Sequence, residues 1–163
     1  MAQQWQQDLH APDGALGTIK TTSFAVGDLN HDGFLDVYAS HYPRADAEDE
    51  LWLNRGNGNH FIGITLQGLQ SNTNGVGAKI ILYRADGSRQ VREVRAGESY
   101  GITNAYTQLF GLGTSAAIAR IEVQWPSGQV SRLTQPTADQ FLTITESLCS
   151  ISTCIPLRVT AIK

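Results

Sequence analysis

The sequence predicts an all-β protein, and three observations carry that prediction. Sixteen glycines are spread along 163 residues, with Thr, Val and Ile recurring in short runs between them. Some of those runs alternate. Ile121, Val123 and Trp125 fall on one face of "ARIEVQW", while Arg120, Glu122 and Gln124 fall on the other. No segment carries the spacing of a convincing amphipathic helix, although 114–119 and 136–140 have room for a single turn.

Taken in order, residues 1–22 form a polar N-terminal segment that assigns itself to no element beyond the lead into the first strand. "TTSFAVGDLNHDGFLDVYASHY" reads as strand, loop, strand: Phe24 and Val26 lead in, and Leu35, Val37 and Tyr38 lead out. "PRADAEDE" reads as a charged, solvated connection, and "LWLNRGNGNHF" as a short strand closed by a glycine turn. "FIGITLQ" is the next strand. "GAKIILYRADGSRQVREVRA" is a hairpin with Asp86 and Gly87 at its turn. "PSG" turns "ARIEVQW" into "QVSRL". "QFLTITE" is a further strand, and "IPLRVTAIK" supplies a last one, with Leu157, Val159 and Ala161 on one side.

Composition narrows the function classes. An apolar content of 41% is enough for a core, and 17% charged residues is too few for a disordered chain. The net charge of −3 hides an asymmetry: residues 1–60 carry nine acids against three Lys and Arg, and residues 61–163 carry six against nine. The acidic part suits a divalent cation. The basic part is too scattered for nucleic acid, because strand alternation splits Arg89, Arg92 and Arg95 between two faces. No run is long and apolar enough to span a bilayer, and "MAQQWQQDLH" lacks the basic end and apolar stretch of a signal peptide.

The acidic part contains "GDLNHDGFLDVYASHY". Asp28, Asn30, Asp32 and Asp36 occupy positions 1, 3, 5 and 9 of a D-x-N-x-D-G-x-x-D loop, with Gly33 at the sharp turn. The backbone carbonyl of Phe34 completes a set of hard oxygen ligands that suits Ca²⁺ and not zinc. The twelfth position, where an EF-hand needs a carboxylate, is Ala39, so the loop is of another kind. The competing reading is an Asx-rich turn that binds nothing. Ca²⁺ is the cofactor expected, in a structural role.

This loop, with "LWLNRGNGNHF" after it, resembles the FG-GAP (VCBS) repeat over about residues 23–59. That family builds integrin-type propeller blades, each with a calcium loop between its strands, and Asp28, Asn30, Asp32 and Asp36 match its ligand positions. A second resemblance follows. "NHFIGITLQGLQSNTNGVGAKIILY", "REVRAGESYGITN", "LFGLG" and "IEVQWPSGQV" are similar to the ASPIC/UnbV domain over about 59–146. Leu109 stands where that family often has His before "FGLG". The two resemblances imply an FG-GAP blade-like unit at 23–59. An antiparallel β-sandwich or partly open barrel at 60–146 follows, and then a tail at 147–163. They also imply an extracellular module, as in bacterial secreted proteins and cartilage acidic protein.

Catalytic signals are weak. "GESYG" at 97–101 satisfies G-x-S-x-G, but the hydrolase order needs a His after the Ser, and the last histidine is His60. "NGVGAK" completes neither a P-loop nor a dinucleotide fingerprint. His10, His31, His41 and His60 share no metal-ligand spacing. Trp125 before Pro126 reads as a core anchor ahead of a sugar-stacking platform. For Cys149 and Cys154 two readings stay open, a short disulfide loop and two free thiols. The expectation is a non-enzymatic, calcium-binding extracellular module for adhesion, matrix or filament assembly. Its partner is another protein, a glycan, or copies of itself paired through exposed strand edges. The alternative is an accessory or catalytic component of a UnbV-type biosynthetic pathway.

Overall fold

The computed structural model describes residues 5–7, 21–41, 49–98, 100–149, 154–155 and 157–162. Every regular element among them is a strand. The chain divides into two compact units: residues 1–58 with 97–105, and residues 59–96 with 106–163. The "PRADAEDE" connection falls mostly outside the described residues, as does most of the N-terminal segment.

The first unit is one antiparallel sheet. Its strands are β1 (Trp5–Gln7), β2 (Thr21–Gly27), β3 (Asp36–His41) and β4 (Glu50–Asn54), in the order β1-β4-β3-β2. The expected strand–loop–strand is β2 and β3, with Val26 opposite Val37 and Gly27 opposite Asp36. The segment 97–105 belongs to this unit. There the Val26 amide donates to Asn104 Oδ1 at 2.9 Å, and the Ala105 amide donates to the Val26 carbonyl at 3.2 Å.

The second unit is an open β-sandwich. One sheet holds β6 (Lys79–Arg84), β7 (Arg89–Glu93), β9 (Ile118–Gln124) and β10 (Val130–Thr134), in the order β10-β9-β6-β7. The other holds β5 (His60–Gln67), β8 (Gln108–Gly113), β11 (Phe141–Thr145) and β14 (Arg158–Ile162), in the order β14-β11-β5-β8. Neither sheet closes into a barrel. A small hairpin of β12 (Leu148–Cys149) and β13 (Cys154–Ile155) stands beside them in sequence.

Period-two patterning builds the core. Ile62 and Ile64, Ile80 and Leu82, Phe110 and Leu112, Ile121 and Val123, and Leu142 and Ile144 each sit two apart and are buried in one cluster. Trp125 belongs to the same cluster and donates its indole N–H to Ser131 Oγ at 2.9 Å, so it is a core anchor. The 79–93 hairpin forms as expected, with Gly87 in the left-handed region at φ 87°. No helical turn forms at 114–119 or 136–140.

One pair departs from the antiparallel arrangement: β11 runs parallel to β5, with Phe141 opposite Gly63. The intervening strands supply the long crossover that a parallel pair requires. Gly63 is what the junction needs, since a Cβ there would lie 2.2 Å from Phe141 Cδ1. The Phe141 ring packs instead against Phe61, with centroids 5.4 Å apart.

Candidate functional site

The acidic loop lies between β2 and β3, and its backbone curls because two residues adopt left-handed conformations close together. These are His31 at φ 60° and Gly33 at φ 89°. The acidic side chains hold the curl. Asp28 Oδ1 accepts from the Asp32 amide at 3.1 Å, and Asp28 Oδ2 from the Gly33 amide at 2.8 Å. Asn30 Oδ1 accepts from the same Asp32 amide at 3.2 Å, and Asn30 Nδ2 donates to Asp32 Oδ2 at 2.9 Å. Asp32 Oδ1 accepts from the Phe34 amide at 2.9 Å.

Asp36 anchors the loop to the sheet. It is fully buried at the head of β3, where Oδ2 accepts from the Leu29 amide at 2.7 Å and Oδ1 from the Asn54 amide at 2.9 Å. Asn54, at the end of β4, then accepts from the Gly56 amide at 3.0 Å. Gly56 sits at φ 67° beneath the Phe34 ring, and a Cβ there would come within 2.6 Å of Phe34 Cε2. Thus "NRGN" packs against the acidic loop through a residue too small to clash.

The chemistry of the donors suits a hard cation. The side-chain donors proposed for the ion are oxygens. Each carboxylate oxygen of Asp28, Asp32 and Asp36 that accepts one N–H keeps a lone pair. The Asp28 carboxyl is pushed above its ordinary value, first by burial and further by the negative charges of Asp32 and Asp36. The Gly33 and Asp32 amides pull the other way. Among the described residues no three His, Cys, Asp or Glu side chains form a metal site by themselves. The amide oxygen of Asn30 and the carbonyl of Phe34 are the expected remaining donors.

A second polar centre was invisible in the sequence. Glu146, directly after β11, is buried at 1% exposure. Its Oε2 accepts from three successive amides, Leu69 at 2.9 Å, Gln70 at 2.8 Å and Ser71 at 2.7 Å. Its Oε1 accepts from Ser71 Oγ at 2.9 Å and from the Ser127 hydroxyl. Consecutive amides pointing at one anion form a nest. Burial by itself would raise this carboxyl, yet the hydrogen bonds from Ser127, Ser71 and Leu69 outweigh it and hold the pKa down to about 2. Both oxygens are fully used, so Glu146 ties three loops together and is not a free acid for chemistry.

The remaining motifs resolve as follows. "GESYG" lies in the 97–105 segment with no helix after it among the described residues, and Ser99 itself lies outside them. His60 Nδ1 meets Asp139 Oδ2 at 2.7 Å on the surface of the second unit. The backbone register of β12 and β13 sets Cys149 opposite Cys154. No helix is long and apolar enough to cross a membrane among the described residues.

The family described as ASPIC and UnbV matches residues 68–150. The chain belongs to this family. Its ASPIC and UnbV segment begins at Gly68, one residue before the nest, and contains β6 to β11 together with Glu146. The acidic loop at 28–36 precedes the segment in sequence. No curated protein matches the chain.

Sequence reasoning missed Glu146, Asn54 and Asn104. Asn54 has a local signal in the glycine-rich turn that follows it. Glu146 has none, because its amide partners lie 75 to 77 positions earlier.

Proposed function

We propose that this chain is a non-enzymatic, calcium-stabilised extracellular module for binding or assembly, with an FG-GAP-type loop in front of its ASPIC and UnbV domain. The observation that supports the reading is the loop 28–36. Its carboxylates and amide already curl the backbone, and burial, with the neighbouring charges of Asp32 and Asp36, pushes the Asp28 carboxyl up. A bound Ca²⁺ supplies a positive charge that favours the ionised carboxylates of this partly buried loop. Asp28, Asn30, Asp32, Asp36 and the Phe34 carbonyl would hold it. Asp36, bonded to Leu29 and Asn54, would pass the ordering on to β3 and β4.

A thermal melt with calcium and with chelator, repeated on Asp32→Ala, tests the reading. Calcium at a hundredfold excess over its dissociation constant adds about 2.7 kcal/mol. The melting temperature of the wild type rises accordingly, and the substitution removes most of the rise. Equal melts in all four samples would refute the calcium site.

Extracellular placement follows from the same chemistry, since oxygen-ligand sites of modest affinity work where calcium is abundant. The facing register of Cys149 and Cys154 favours a disulfide in such a compartment. A reduced pair in material secreted by the native host would count against it. The family match alone favours a second reading, a component of a UnbV-type biosynthetic pathway. Loss of a small-molecule product on deleting the chain from its host would distinguish that role from assembly.

A further inference from the structure

An open sandwich leaves four sheet edges, and here they are not alike. β7 carries exposed Arg89, Arg92 and Glu93 along its length. β10 has Arg132 at its centre, 3.5 Å from Glu122, and is followed by Gln135 in the left-handed region at φ 48°. On β8 the Gly111 carbonyl accepts from Gln90 Nε2 at 2.8 Å, and the Leu112 carbonyl accepts from the Arg84 guanidinium. Charge, irregularity and occupied carbonyls are the usual protections of an edge.

Among the described residues β14 has the fewest of these, one charge at its first position. Among the described residues its sheet ends there, its register with β11 is unbroken, and its only charged residue is Arg158 at the first position. Arg158, Val159, Thr160 and Ala161 are all exposed. Val159 lies opposite Ile144 and Ala161 opposite Leu142, so both continue the apolar face of β11. Leu142 and Ile144 are buried, whereas Val159 is 36% exposed. The apolar face therefore runs outward past the covered core, beside a backbone edge that no described strand pairs.

We infer that the free edge of β14 pairs antiparallel with β14 of a second copy, about a two-fold axis at Thr160. The inference rests on the assembly reading above and names its surface. The sequence is self-complementary in this register. Val159 faces Ala161 of the second copy, Thr160 faces Thr160, and Arg158 falls opposite position 162, so no like charges oppose. The pairing joins two apolar strips and continues the sheet from one copy into the next. One strand pair is a small contact, and the dimer is correspondingly weak.

Sedimentation equilibrium of the full chain, at concentrations up to about 1 mM, tests this. The mass of the wild type is expected to rise towards twice 17.7 kDa. Thr160→Lys and Thr160→Glu each set like charges face to face and weaken the dimer about fivefold. An equimolar mixture of the two restores wild-type association, an outcome that misfolded variants cannot give. Should either variant melt below the wild type, Val159→Lys replaces it and must weaken the dimer by removing the apolar contact with Ala161 of the second copy. A wild type that stays monomeric overturns the inference, as does a mixture that fails to restore association. Undiminished dimers of Thr160→Lys overturn it too, while leaving assembly to another surface. The calcium melt is read independently of mass, so failure here and failure of the calcium site are separate results.

Discussion

The two units hold their sheets by different means. In the second, a continuous apolar cluster from Ile62 to Ile144 fills the space between two sheets, and the main buried acid is locked into a nest. In the first, Ala39 is the only buried apolar side chain among the described residues, and it is accompanied by buried Asp36, Glu50 and Asn54. Phe24, Leu29, Leu35 and Tyr38 are exposed there. Hydrophobic burial is non-directional and tolerates changes of ion or pH, whereas directional bonds to carboxylates do not. One chain thus rests one unit chiefly on apolar burial and the other chiefly on directional bonds to buried polar groups.

The largest effect should come from the apolar side. Phe110→Ala empties a fully buried site and is expected to lower stability by about 4 kcal/mol in a denaturant titration. A loss as small as that of a surface substitution would break the contrast.

Next comes the nest. Glu146→Gln leaves some of the converging N–H and O–H donors without a full acceptor and should cost about 2 kcal/mol at neutral pH. The Glu146 pKa is lowered from 4.5 to about 2, so its contribution is present above the unfolded value. That contribution is lost as pH falls from 4.5 towards about 2. Acid titration of the wild type should show this loss, and the Gln variant should run flatter through the same window. Parallel curves would show that the carboxylate contributes nothing through its charge.

The smallest effect is local. With chelator present, Asp36→Ala should cost about 1.5 kcal/mol, because the Leu29 and Asn54 amides lose their acceptor. Hydrogen exchange should speed at those two amides while Ile80 and Leu82 keep their protection. Equal acceleration in both units would mean that they unfold together.

Much of this fold was legible. The alternation of Ile121, Val123 and Trp125 located β9, and Asp86-Gly87 located the hairpin, because both signals are local. β8 was not recognised as a strand: "QLFGLG" has glycines that weaken the pattern, and its assignment comes from pairing with β5. In the acidic loop, spacing located the residues, and the structure supplied what spacing lacks. It showed the anchoring of Asp36 by Asn54 and the close approach of Phe34 to Gly56. The Glu146 nest depended on contacts across most of the domain, which no window of sequence contains.

The parallel seating of β11 on β5 also sets an order of events during synthesis. Thr145 meets Gln67 across 78 positions, so the centre of the second sheet cannot be completed until nearly the whole domain has left the ribosome. Until then the inner edge of β5 has no β11 beside it. Through that interval the seat that β11 will take stays open, and late pairing of this kind is what exposes a chain to competing contacts.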